Sequence, residues 1–251
     1  MSRYVLVHGS WHGRWVWDRV APMLADAGHD VATPDLPGRG GDPRDPASVT
    51  LADQVDAVVE VLEASDRPAI VVGHSYGGFV ISHVAERVPE RVELLVYVAA
   101  FLLRHGETVL EVATSVPPSV PHLDVREEEG LISVRPEAAP LVFYDDCPPE
   151  DARWATALLV PEALGPRRTH AVLTEERSGS VPRVYVETTN DRALAASLQR
   201  RMHAALPCRE VVALASGHSP FLSMPATLAE RLLAWGDDTT RIGGGRSTKA
   251  P

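Results

Sequence analysis

A chain of 251 residues with 45% hydrophobic content can bury one sizeable core, either as one large domain or as one domain carrying an insertion. A net charge of −10 and a pI near 5.4 argue against nucleic acid or an anionic membrane surface as partner, since both would repel it. No apolar stretch reaches the ~20 residues needed to span a bilayer, and Cys147 and Cys208 lie too far apart in sequence for a metal-ligand pair.

Tyr4-Val5-Leu6-Val7 reads as a buried strand that starts almost at the first residue, with no apolar leader before it. Together with the cysteine usage, this gives the expectation of a reduced, cytoplasmic protein. Trp15 to Ala27 reads as a helix closed by Gly28, and Asp30-Val31-Ala32-Thr33 as a short strand. Thr50 is placed to cap a helix running to about Ala64, with Val55, Val58, Val59 and Leu62 on one face. Ala69-Ile70-Val71-Val72 is a second buried strand, followed by the helical pattern Phe79–Glu86 and an apolar run from Val92 to Phe101. Later strands are expected at Val184–Val186 and Val211–Leu214, with helices at about Arg192–Ala205 and Pro225–Trp235. This alternation predicts a mostly parallel sheet covered on both faces. The acid run Glu127-Glu128-Glu129 reads as a solvated surface, and the glycine-rich tail 237–251 as disordered.

Between about Arg104 and Val181 the alternation fails. The segment is rich in proline, with one helical pattern at Pro149–Leu159, and is too long for an ordinary loop. It is expected to form a cap over the strand ends, which divides the chain into a core (1–103 and 182–236) and an inserted lid (104–181). A surface excursion with no role toward a substrate is the plainer alternative.

Gly73-His74-Ser75-Tyr76-Gly77-Gly78 stands directly behind a β-branched run and before a helix. Small residues on both sides of the serine allow strand and helix to touch, while the serine is held in a strained turn above the sheet. A hydroxyl needs a base, a carboxylate behind the base and donors for the oxyanion. Of ten histidines, His218 alone lies in a glycine-flanked loop after a late strand, Ser216-Gly217-His218-Ser219. His8, His12 and His74 also fall near the site, where structural or orienting roles suit them better. Asp191 follows the Val184–Glu187 strand and precedes a helix, so it is either the carboxylate partner or merely a helix cap; the order Ser75, Asp191, His218 favours the former. Tyr76 is the expected first oxyanion donor and Ser10 the second, with Trp11 as the alternative to Ser10.

Val5–Trp17, the Gly-His-Ser-Tyr-Gly-Gly turn and Thr188–Asp191 resemble the α/β-hydrolase branch of plant methyl-ester esterases and hydroxynitrile lyases. The resemblance covers Tyr4 to Phe101 and Val184 to Trp235, and bacterial esterase-like members also match Phe143–Cys147. It implies the α/β-hydrolase fold, Ser75, Asp191 and His218 as a catalytic triad, and Ser10 and Tyr76 as oxyanion donors. Lyases of this branch carry a lysine just after the catalytic histidine and a threonine in the first loop; this chain has Ser219 and Gly9.

The expectation is a serine esterase that cleaves a small-molecule carboxylic ester through an acyl-enzyme, with no metal and no organic cofactor. Trp11, Phe101, Phe143, Tyr144 and Trp154 are candidates to line an apolar pocket, although each aromatic could serve the core instead. Two other readings stay open. One is a secondary-metabolite enzyme using the same site for a cyclase, thioesterase or lyase-like reaction; the other is a non-catalytic small-molecule binder. The oligomeric state is also open, a homodimer included.

Overall fold

The computed structural model describes residues 1–39, 42–118, 121 and 123–243, of which 238–243 through the backbone alone. Among the described residues nine strands follow in chain order: β1 (Arg3–Val7), β2 (Asp30–Ala32), β3 (Ala69–His74), β4 (Val92–Val98), β5 (Leu123–Arg126), β6 (Leu131–Val134), β7 (Glu162–Ala163), β8 (Arg183–Thr188) and β9 (Glu210–Leu214). Six of them form one sheet in the order β2-β1-β3-β4-β8-β9, and every neighbouring pair is parallel. This is the expected α/β-hydrolase architecture. Strand order reverses between β1 and β3, and ligands of open parallel sheets bind beyond the carboxyl ends at such a switch point.

Helices cover both faces because the buried strands are apolar on both. Val5, Val7, Val71 and Leu95 pack with side chains of α2 (Leu51–Glu63) and α3 (Gly77–Arg87), among them Val55, Val58, Phe79 and Val84. The alternate residues Tyr4, Leu6, Ile70 and Val72 pack on the other face with Leu24 of α1 (Ala21–Asp26) and with Leu228 and Leu232 from near the carboxyl terminus. The period of two along each strand sets this division. Thr50 caps α2 as expected, in a reciprocal capping box with Asp53.

Between β4 and β8 the chain builds a separate three-stranded antiparallel sheet, β5-β6-β7. Four short helices accompany it: α4 (Val109–Thr114), α5 (Ala139–Val142), α6 (Pro149–Ala157) and α7 (Gly165–Arg168). Ile132, Phe143, Ala155 and Leu164 join the apolar cluster on the Tyr4 face, so this insertion packs into the body of the molecule.

Several element boundaries differ from the sequence reading. The expected Trp15–Ala27 helix is two pieces, a 3-10 turn at Arg14–Trp17 and then α1, because Pro22 lacks the N–H that a continuous helix would use. The apolar run from Val92 leaves the sheet at Val98, where Ala99 takes a φ of 45° and the Phe101 N–H turns to the carbonyl of Ser75. The helix expected from Arg192 begins only at Ala196 (α8, Ala196–Ala205). The Asp191 side chain takes the N–H groups of Ala193 and Leu194 and so holds that segment in a turn. A short helix α9 (Pro220–Ser223) precedes α10 (Pro225–Gly243), which continues beyond the expected end at Trp235 and into the expected tail. The rest of that tail, 244–251, lies outside the described residues. Among the described residues, no helix is long and apolar enough to cross a membrane.

Candidate active site

Ser75 occupies the turn between β3 and α3 with a φ of 52°, a left-handed conformation that costs a non-glycine residue on the order of 1–3 kcal/mol. Three hydrogen bonds hold it there: its N–H donates to the Val98 carbonyl, and its carbonyl accepts from Gly78 and Phe101. The flanking glycines follow from close approach. A Cβ on Gly73 would lie 2.7 Å from the Gly77 backbone, and one on Gly77 would lie 2.7 Å from the His8 carbonyl oxygen. A Cβ on Gly9 would lie 2.8 Å from the Ser75 Cβ, so the loop after β1 is pressed against the serine.

Asp191 and His218 come together from the loops after β8 and β9. The Nδ1–H of His218 donates to Asp191 Oδ2 at 2.8 Å, which leaves Nε2 as the acceptor-bearing nitrogen. Asp191 is heavily committed. Oδ2 also accepts from Thr188 Oγ1 (2.8 Å) and Gln199 Nε2 (3.0 Å), while Oδ1 takes the two backbone amides of the turn. The alternative of a simple helix cap does not describe it, since Ala195 holds the N-cap of α8. Ser75, Asp191 and His218 all line one cavity of about 370 Å³. Among the described residues, no hydrogen bond joins Ser75 Oγ to His218.

Neutral histidines brace this arrangement. His74, buried, donates from Nε2 to the His218 carbonyl at 2.9 Å, with the two rings 4.7 Å apart. His12 donates from Nδ1 to the Ser10 carbonyl (2.6 Å) and accepts the Tyr144 hydroxyl at Nε2 (2.8 Å). His8 donates to the Gly9 carbonyl (2.9 Å) and accepts the Leu36 N–H (3.0 Å). Burial lowers His12 to about 3 and His8 to about 4, and drives His74 well below its ordinary value. All three are therefore uncharged at neutral pH.

Of the expected oxyanion donors, Tyr76 follows the serine in its turn and Ser10 follows Gly9 in the loop pressed against it. Neither the Ser10 nor the Tyr76 N–H donates to another group among the described residues, whereas the Trp11 N–H donates to Glu162 Oε2 at 3.2 Å. Of the aromatic candidates, Trp11, Phe101 and Phe143 line the cavity. Tyr144 is buried behind it against His12, and Trp154, 42% exposed, packs edge-on against Trp15; neither lines the cavity.

Three residues of this site are not among those the sequence reading singles out. Arg39, Glu162 and Arg167 form a buried ionic cluster, with Glu162 accepting from Arg39 at 2.7 Å and from Arg167 at 2.8 Å. Arg167 also donates to Ser10 Oγ at 2.6 Å. Burial pushes the Glu162 carboxyl up, and the two guanidiniums more than reverse it, so its pKa lies below the ordinary value. Asp146, within the Phe143–Cys147 stretch that carries part of the resemblance, reaches from the insertion to the His218 loop and accepts from Gly217 N–H at 2.7 Å and Ser216 Oγ at 3.1 Å. Only the contrast of charged residues with apolar neighbours, as at Glu162-Ala163-Leu164, hinted at burial.

A family model described as the alpha/beta hydrolase family matches residues 4–231. The chain is 32% identical to salicylic acid-binding protein 2 of Nicotiana tabacum, over 92% of this chain and 96% of the relative. It is also 32% identical to a carbendazim hydrolyzing esterase of Nocardioides, over 94% of this chain and all of the relative. Among solved structures it is similar to tomato methylketone synthase I, with a TM-score of 0.85 and 26% identity over 95% of this chain and 98% of that one.

Proposed function

The chain belongs to the alpha/beta hydrolase family, and within it we propose a serine esterase acting on a small-molecule carboxylic ester. The observation that carries this reading is the 2.8 Å Asp191–His218 pair opening on the same cavity as a serine held at positive φ. Ser75 Oγ attacks the ester carbonyl while His218 Nε2 takes its proton. Asp191 keeps Nδ1 protonated and stabilises the imidazolium. The N–H groups of Ser10 and Tyr76 receive the oxyanion, and the engagement of the Trp11 N–H by Glu162 supports Ser10 over Trp11. His218 then protonates the departing alcohol, and water hydrolyses the acyl-enzyme by the reverse sequence of proton transfers.

The insertion, 104–181, serves as the cap of this site, with Phe143 and Arg167 reaching the cavity from it and Trp11 and Phe101 from the core. A second reading keeps the site and changes the reaction, and similarity to a synthase favours it. Gly9 against the Ser75 Cβ and a buried Ser219 after the histidine, in place of a cation, support hydrolysis instead.

The test is pre-steady-state hydrolysis of p-nitrophenyl esters of increasing acyl length, with Ser75→Ala alongside. A stoichiometric burst followed by turnover, absent in the variant, is the expected result. Equal rates in the two proteins would sink the proposal.

A further inference from the structure

Arg39, Glu162 and Arg167 together hold two guanidiniums and one carboxylate, and none is more than 5% exposed. A unit of positive charge is therefore left in the interior, beside the loop that presents the Ser10 N–H. The two arginines differ in how their donors are used. Arg39 is spent on protein acceptors: the His12, Gly38 and Pro161 carbonyls and Glu162. Arg167 uses two of its five N–H donors, one on Glu162 and one on Ser10 Oγ, and the others have no acceptor among the described residues. Arg167 also lines the cavity, and Arg39 does not.

The donors left open on Arg167 face the cavity, where water or an anionic group of a ligand can accept them. The position of Arg167 is held by two rings and two hydrogen bonds: the guanidinium carbon lies over the Trp11 ring, 4.6 Å from its centre, and 5.8 Å from that of Tyr76, while Glu162 and Ser10 accept from it. A planar fork held in this way is suited to a carboxylate. The other charged side chains of the cavity are already paired. Asp191 is bound to His218, Thr188 and Gln199, and Arg192 forms an ion pair with Asp145 at 2.9 Å.

We infer that the cavity takes an amphiphilic half-ester of a short dicarboxylic acid, its free carboxylate held by Arg167 and its alkyl part by the apolar wall. The length of the diacid follows from Ser10. Arg167 Nη2 lies 2.6 Å from Ser10 Oγ, so the anion is held close to the residue whose N–H is proposed to meet the reacting carbonyl oxygen, and only a short chain is needed between the two ends of the acyl group. A succinyl or glutaryl spacer has that reach. Leu110, Val116, Leu123 and Leu198 offer the alkyl alcohol an apolar surface. The inference rests on the hydrolytic reading for the reaction, but not for the binding of the anion.

The experiment compares hexyl hydrogen succinate with hexyl levulinate, a neutral ester of nearly the same shape, by the hexanol each releases. In the wild-type protein, kcat/KM for the half-ester is expected to exceed that for levulinate by at least tenfold. In Arg167→Met that ratio is expected to fall by at least tenfold, and Arg167→Lys is expected to restore part of it. A wild-type preference for levulinate would overturn the inference without any variant. So would a ratio that Arg167→Met leaves unchanged while both rates fall, because Arg167 would then only hold the oxyanion loop. If neither ester is cleaved, calorimetric titration of Ser75→Ala separates the two claims. Binding of the half-ester alone would retain the anion site and reject hydrolysis; equal binding or none would reject the anion site.

Discussion

At the carboxyl edge of the sheet, short loops after β1, β3, β8 and β9 place Ser10, Ser75, Asp191 and His218 by backbone geometry. The insertion supplies Phe143 and Arg167 to the same cavity by side-chain packing and ion pairing. The first kind of placement depends on where strands end and where only glycine fits; the second depends on partners far apart in sequence, such as Arg39 and Glu162. On the proposed reading, the reacting groups belong to the sheet layer and the substrate-facing walls to an insertion that can vary without disturbing them. The two regions also touch directly, since Asp146 of the insertion fastens the His218 loop.

Changes on the two sides should therefore behave differently. Asp191→Asn, which removes the charge behind the imidazole, is expected to lower kcat by about 10⁴-fold in the folded protein. A loss under tenfold in steady-state kinetics would show that the core does not work as assigned. Glu162→Gln leaves two buried guanidiniums facing each other and is expected to destabilise the protein by roughly 3–5 kcal/mol in urea unfolding. A change under about 1 kcal/mol would mean that the cluster is not closed to water.

Asp146→Ala tests the bridge between the regions. It removes charge-assisted bonds worth about 1.5 kcal/mol or more, and kcat should fall about tenfold with KM little changed, since the residue fastens the loop of His218, the proposed base. An effect on KM alone would place Asp146 among the pocket walls instead. The remaining test concerns acid. His8 and His12 have folded-state values of about 4 and about 3 against 6.5 in the unfolded chain. Below pH 6.5 the unfolded chain binds more protons, so stability present above that pH is lost as pH falls toward 4. Each such histidine contributes about 1.4 kcal/mol per pH unit in this window. Urea unfolding between pH 4 and 7 should show this slope, and His12→Gln should reduce it; a flat profile would contradict neutral burial.

The same contrast explains what was legible in the sequence. Strands β1, β3, β4, β8 and β9 announced themselves as apolar runs, and the turn at Ser75 announced itself through glycines that steric contact requires. Asp191 was ambiguous because a cap and a catalytic carboxylate look alike in one dimension; the structure has the side chain binding both its own turn and His218. The late start of α8 was hidden for the same reason. Trp154 and Tyr144 looked like pocket aromatics, yet Trp15 and His12 claim them, and contacts of that range leave no periodic trace. Arg39 and Arg167 were invisible because a charged residue reads as surface until its buried partner is known.

The most direct measurement is the intact mass of the protein after reaction with an alkyl fluorophosphonate, followed by peptide mapping. A single adduct on Ser75, lost in Ser75→Ala and slowed in Asp191→Asn, is the predicted result. A folded wild-type protein that takes no adduct, or takes it on another residue, would contradict Ser75 as the nucleophile and with it the esterase reading.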